Sequence, residues 1–456
     1  MFGHTCIRLL GAAILLLMLL SACQREPQNA AAPTLLIGNG VVAETTLLAI
    51  IPDEHEPTST DTALDNKAIF RVVFHEQGRG VAYVARIGET NHLVYNSKVG
   101  MPVAGIDQIS ISPDGKRLAY SAMADGKWGM FVDDTRALDS KSVGDPVFSP
   151  DSKHIAYQVK SGKNIYIAVD RDMHELKLSI SGKPLFSADS QKIAYVEHLD
   201  TEGSLRLVVS DLAFTERELI DDFGERVAVS PAQKRLAAIS THKGKKRVLE
   251  LGFDNPSDVT KGKHYDEISD LVYGADGVAF VAKNGENKYL VLGDKEELLP
   301  KGQADAPPVV RPGGKGVGII MSSDSKYFLH QAFSGHGKEQ PRYDMVKFLA
   351  YSTDGNLHAY CAKRGDKWFV VVNGKEGPAF DIAVTPVFSP DSKRLVYRVR
   401  DRGKRFVVVA DTSGKVIRKH SAYEMVFQPV FTADGKSVAY GVKDGKKLIW
   451  KVESLY

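Results

Sequence analysis

From about Lys67 onward a short apolar run recurs every 37 to 43 residues. Its anchors are Tyr83, Tyr120, Tyr157, Tyr195, Ala238, Phe280, Ile320, Tyr360, Tyr397 and Tyr440. A period of this size constrains the fold more than any other feature, because a forty-residue unit buries its apolar surface only against its neighbours. The unit is plainest at residues 386–411. Val387-Phe388-Ser389 forms a first strand, Pro390-Asp391-Ser392-Lys393 a turn and residues 394–399 a second strand. Residues 401–404 turn again, residues 406–410 form a third strand, and a less regular fourth precedes the next unit. The same order returns at Ile111-Ser112-Pro113-Asp114, Phe148-Ser149-Pro150-Asp151, Phe186-Ser187-Ala188-Asp189 and Phe431-Thr432-Ala433-Asp434.

Proline presets the first turn position, aspartate caps the backbone, and Gly115, Gly277, Gly355 or Gly435 accepts the positive φ that closes the turn. The strands are β-branched and aromatic, and no helix-length periodic run follows the N-terminal apolar stretch. Four short antiparallel strands per period make a propeller blade. The chain is therefore expected to be all-β: a β-propeller of about ten repeats over residues 67–456. One large ring is favoured over two smaller ones. The motifs resemble the TolB-type, WD-repeat-like propeller repeat, close to F-S-P-D-G-K-x-I-A-Y, over nearly all of the chain beyond Cys23. That resemblance implies the fold and leaves function open. TolB carries an N-terminal α/β domain, for which residues 23–66 are too short. Related propeller peptidases append a hydrolase domain, whereas this sequence ends inside its last repeat.

The last repeat has strands at residues 429–432, 437–442 and 448–453, and three residues are too few for a fourth. An unpaired edge there would be an aggregation hazard. The apolar segment at residues 45–51, within an N-terminal stretch 45–66, is expected to pair beside the last blade and close the ring. Residues 68–74 are the second choice.

At the N-terminus Arg8 precedes an apolar run, residues 9–20, and then Leu20-Ser21-Ala22-Cys23. A basic start, a short apolar run and small residues before a cut make an export signal. The run is shorter than the roughly 20 apolar residues of a spanning helix. Its ending resembles the lipobox of bacterial lipoproteins. That resemblance implies a signal peptide at 1–22, diacylation of the Cys23 thiol, cleavage before it and acylation of the new amine. Several acyl chains anchor stably where one does not. Residues 23–44 follow as a lipid-anchored tether, polar and rich in Pro and Ala. Gln24, not Asp, follows Cys23, which in enteric bacteria favours the outer membrane over the inner. The expected location is the bacterial envelope, facing the periplasm. Of the three cysteines, Cys6 goes with the signal and Cys23 with lipid. Cys361, in a strand-like stretch, is expected to be packed and inert.

Lys plus Arg total 59 and Asp plus Glu 56, a balance that argues against a nucleic-acid partner. No cofactor is expected, and zinc-ligand spacings are absent. Phe333-Ser334-Gly335-His336-Gly337 lacks the first glycine of a nucleophile elbow. Repeated charge is more informative. Turns between second and third strands are basic, giving a candidate binding rim of Lys163, Lys245, Arg247, Lys363, Arg364, Lys367, Arg402, Lys404 and Lys446. Blade-to-blade loops at the same end carry an acid beside an apolar residue, giving a candidate inner ring of Asp107, Asp266, Asp344, Asp381 and Glu424. Such charges often only solvate hairpins and discourage edge pairing; as a docking surface they would be electrostatically graded. The function expected is a non-catalytic envelope module whose face or channel binds a protein segment or envelope polymer, with the membrane as a further partner through the lipid anchor. The alternative is a channel-site hydrolase of lactonase-like type, with or without a metal held by side chains from separate blades.

Overall fold

The computed structural model describes residues 43–61, 67–69, 71–75, 77–199, 204–215, 217–274, 276–333, 341–432 and 434–455. The expectations for residues 1–42, Cys23 included, lie outside them. The strands form ten antiparallel four-stranded blades arranged as a β-propeller. In blade 2, Gly105–Ile111, Leu118–Ala124, Lys127–Val132 and Thr135–Ser140 pair in sequence order. Blades 4 and 5 share one 13-residue strand, Arg217–Val229. It is the outer strand of blade 4 and, after a register shift between Phe223 and Val227, the first strand of blade 5.

The core is a series of seams. Ten apolar clusters lie among the described residues, and each is shared by two consecutive blades. Strand alternation produces this, since successive side chains point to opposite faces. In the second strand of blade 8, Tyr360 and Ala362 enter the seam with blade 7, while Ala359 and Cys361 enter the seam with blade 9. The tenth seam joins the last blade to the first, packing Phe427, Leu448 and Trp450 against Val72, Phe74 and Tyr83. The blades thus close as one ring of ten; two smaller rings would need seams between non-consecutive blades.

Most sequence anchors hold the same seam position, facing the preceding blade. Tyr83, Tyr120, Tyr157, Tyr360, Tyr397 and Tyr440 are among the largest fully buried side chains. Blade 7 differs by one residue: Ile320 faces blade 8, and Ile319 takes the equivalent position toward blade 6. The irregular turn Arg311-Pro312-Gly313-Gly314 conceals that offset, and a shift of one residue reverses every side chain's face.

Ring closure falls to Ala43–Ile50, the outer strand of blade 10. It pairs antiparallel with Lys447–Ser454, from Ala43 opposite Glu453 to Ile50 opposite Lys447. Ala49 and Ile51 reach into the closing seam. Residues 68–74 pair elsewhere. In blade 1 the first strand is split, His55–Pro57 and Arg71–Phe74 both pairing with Val81–Ile87. Between the halves in sequence, Ser59–Asp61 pairs antiparallel with Lys67–Ile69.

Ser-x-Asp or Thr-x-Asp turns hold six of the blades, and some tie a blade to the next. The Ser112 hydroxyl donates to Asp114 Oδ1 at 2.7 Å, and the same oxygen accepts the Lys116 N–H at 3.0 Å. The pattern recurs at Ser149/Asp151, Ser187/Asp189, Ser352/Asp354, Ser389/Asp391 and Thr432/Asp434. Where serine replaces glycine at the next position it keeps a positive φ, 66° at Ser152 and 59° at Ser392. Those hydroxyls accept the N–H of the preceding blade's aspartate, Asp114 to Ser152 at 3.0 Å and Asp354 to Ser392 at 3.2 Å. A left-handed residue costs about 1–2 kcal/mol, and the bond between blades offsets it.

Candidate binding face and channel

At the end of the ring that carries the second-to-third turns, five blade-to-blade loops bridge to the third strand of the blade before them. Tyr265, Tyr343, Phe380 and Tyr423 pair there with Lys246, Tyr327, Trp368 and Arg405. Burial of the first three rings fixes the acid that follows. Asp266 accepts from Lys245 and, at 2.7 Å, from the Gly285 N–H. Asp344 accepts from Lys326 at 2.6 Å and the Gly365 N–H at 2.7 Å. Asp381 accepts from Lys367 at 2.5 Å and the Arg402 N–H at 2.7 Å. Each carboxylate thus joins the third strand of one blade to the turn of the next. The lysine bond first, and the amide second, hold all three carboxyls below their usual range.

Two of the expected rim residues thus pair with two acids of the expected inner ring. Lys245 and Lys367 are the partners of Asp266 and Asp381. Glu424 meets the buried Lys443 at 2.6 Å. Arg364 grips Glu376 through two nitrogens, at 2.7 and 3.1 Å, and lies 5.2 Å from the Tyr343 ring centre. Lys446 pairs with Asp53. Arg247 and Lys363 are half-buried, and Lys163, Arg402 and Lys404 are exposed at their turns. Asp107 is not equivalent to the other acids. In its loop Val103 makes the backbone bridge, to Asn91, and Asp107 falls further on, inside the first strand.

From blade 2 to blade 9 the first strands touch one another and so line the channel. They are irregular at one height, opposite the middle of the second strand: residues 107–108 in blade 2, 182–184 in blade 4, 270–271 in blade 6, 348–349 in blade 8 and 385–386 in blade 9. Bulges re-aim side chains and interrupt the ladder; Asp270 and Thr385 take φ of 54° and 50° there. Blades 1 to 4 bring charge to this height. Lys183 Nζ lies 2.6 Å from Asp145 across the seam of blades 3 and 4. Burial pulls the Arg71 guanidinium of blade 1 below its ordinary value, and Asp107 and Asp145 oppose that shift. In blade 9, Arg398 donates to Thr385 Oγ1 at 3.1 Å. Of these groups only Asp107 was singled out by sequence. The signal that marks two others is a proline: Asp145 precedes Pro146-Val147-Phe148, and Lys183 precedes Pro184-Leu185-Phe186. Among the described residues no three His, Cys, Asp or Glu side chains converge to hold a metal ion.

No family model matches the chain, and neither does a curated protein. Solved structures do. A eukaryotic initiation factor is similar over 76% of this chain and 96% of its own, at 14% identity and a TM-score of 0.45. An oligogalacturonate lyase in complex with manganese is similar over 85% and 96%, at 13% identity and 0.35. The β-propeller domain of the Trilobed protease from Pyrococcus furiosus is similar over 60% and 94%, at 11% identity and 0.31. Likeness at these identities concerns the fold alone, so the enzymes among them carry nothing about catalysis in this chain.

Proposed function

We propose that this chain is a lipid-anchored, non-catalytic binding module of the bacterial envelope, and that its channel receives a protein segment or an envelope polymer. The observation that carries the reading is the charged stretch of channel wall. Four consecutive blades bring Arg71, Asp107, Asp145 and Lys183 to one height, and the first strands of blades 2 to 4 are sheet edges. Fixed charges of both signs select a ligand by complementary pattern, and a strand edge adds main-chain hydrogen bonds to an extended chain. The Leu20-Ser21-Ala22-Cys23 ending supports the anchor.

Photo-crosslinkers placed at Asp145 and Lys183 test the channel in intact envelopes, with Leu219 on the outer strand of blade 4 as control. The expected result is one discrete adduct from the channel positions that Leu219 does not give. No adduct, or the same adduct from all three, overturns channel binding. Cys23→Ala should leave the protein uncleaved or released from membranes; unchanged processing and extraction overturn the anchor.

A further inference from the structure

We propose that the propeller docks edge-on against the bilayer through the outer circumference of blades 9, 10 and 1, so that its channel runs along the membrane plane. The proposal rests on the anchored reading above. Eight large apolar side chains are prominently exposed among the described residues, all on or beside outer strands. Five of them, Leu47, Ile50, Val99, Met101 and Ile417, fall in these three consecutive blades at 43–55% exposure. Met173, Leu219 and Leu298 stand singly in blades 3, 4 and 6. Apolar residues scattered singly over a surface need no explanation, whereas a cluster marks a contact.

Register places two of the five on either side of one strand. Leu47 lies opposite Ile449, whose side chain packs toward blade 9. Val99 lies opposite Val94, whose side chain enters the seam with blade 10. Leu47 and Val99 therefore flank the outer strand of blade 10 from its two sides. Lys98 and Lys447 are exposed on the same arc, and basic side chains beside apolar ones suit anionic headgroups.

The occupant follows from where the chain leads. Ala43 opens this same strand, and residues 24–42 alone separate it from Cys23. Nineteen residues span at most about 65 Å. An acylated Cys23 therefore keeps the outer strand of blade 10 within that distance of lipid, and this is the strand at which the anchor joins the ring. Docking by either flat face would instead leave the five apolar side chains on the perimeter, in water.

Leu47→Cys, Ile50→Cys and Val99→Cys report the contact, against Met173→Cys, Leu219→Cys and Leu298→Cys. Each is labelled with an environment-sensitive fluorophore in the full-length acylated protein, reconstituted in phosphatidylethanolamine–phosphatidylglycerol vesicles. Cys361 is buried and does not compete for label. The first three should gain emission severalfold and be quenched by lipids spin-labelled near the headgroup, and the second three should not. Equal responses at all six, or a gain confined to the second set, overturn edge-on docking while leaving the anchor intact. A purified membrane form whose Cys23 peptide carries no acyl mass overturns the anchored reading, and this proposal with it.

Discussion

Replacing Ile51 with alanine puts the ring closure to the test. Ile51 is 2% exposed in the seam between the last blade and the first, and its N–H donates to the Lys446 carbonyl at 2.7 Å. Truncating a packed isoleucine to alanine costs about 2–5 kcal/mol. Ile51 borders a turn that can partly collapse, which puts the expected loss near the lower end, about 3 kcal/mol. If all ten seams melt together, roughly 400 residues at about 2.1 cal/mol/K each give a melting entropy near 0.8 kcal/mol/K, and Tm falls by about 3–4 °C. Leu219→Ala, on an exposed outer strand, should stay within about 0.5 kcal/mol of the parent, under roughly 1 °C. Scanning calorimetry of the full-length protein reads both the shift and the number of transitions. An Ile51→Ala protein that melts with the parent would show that residues 43–51 do not hold the ring shut. A second, earlier transition would show that the seams unfold separately, as in an open repeat array, and would remove the cooperative basis of the estimate.

Burial in the seam of blades 8 and 9 pushes the Cys361 thiol far above its ordinary value, so a thiol reagent that modifies it promptly in denaturant should leave the native protein untouched over the same time. Stoichiometric labelling of the native protein would contradict the packing. The Asp354 carboxyl is held at about 2 by the Ser352 hydroxyl and the Asn356 N–H, against about 3.9 in an unfolded chain. Because the folded value is the lower one, its stabilisation is complete above about pH 4 and is lost as pH falls through 2. The Tm difference between parent and Asp354→Asn should hold constant from pH 7 to 5 and close between pH 4 and 2; a difference that persists at pH 2 would mean that the charge is not what holds the turn.

The fold was legible because most blades repeat the same local chemistry. Tyr at the seam, Ser and Asp at the turn and β-branched residues between them each have one job, and packing sets the residue at each. Legibility failed first where the turn itself is irregular, at residues 311–314, and there the anchor slipped from Ile319 to Ile320. The acids before the first strands were visible too, as were Lys245 and Lys367, but the pairing was not, since Lys245, Lys326 and Lys367 lie one blade earlier in the chain than their acids. That Lys–Asp pairing recurs from blade to blade, and recurrence within one chain marks a structural task, because each blade has the same neighbour to hold. The channel wall behaves in the opposite way. The residue before the first-strand proline is Asp145, Lys183, Thr385 and Gln428 in four blades whose next residues are nearly identical. Proline removes a ladder donor at the same point in all four; Thr385 departs from the others with a φ of 50°, yet the Pro-x-Phe that follows repeats while the side chain before it changes. A position whose following motif repeats while its own side chain does not is one that the seams leave open, and under the channel-binding proposal its identity would answer to the ligand.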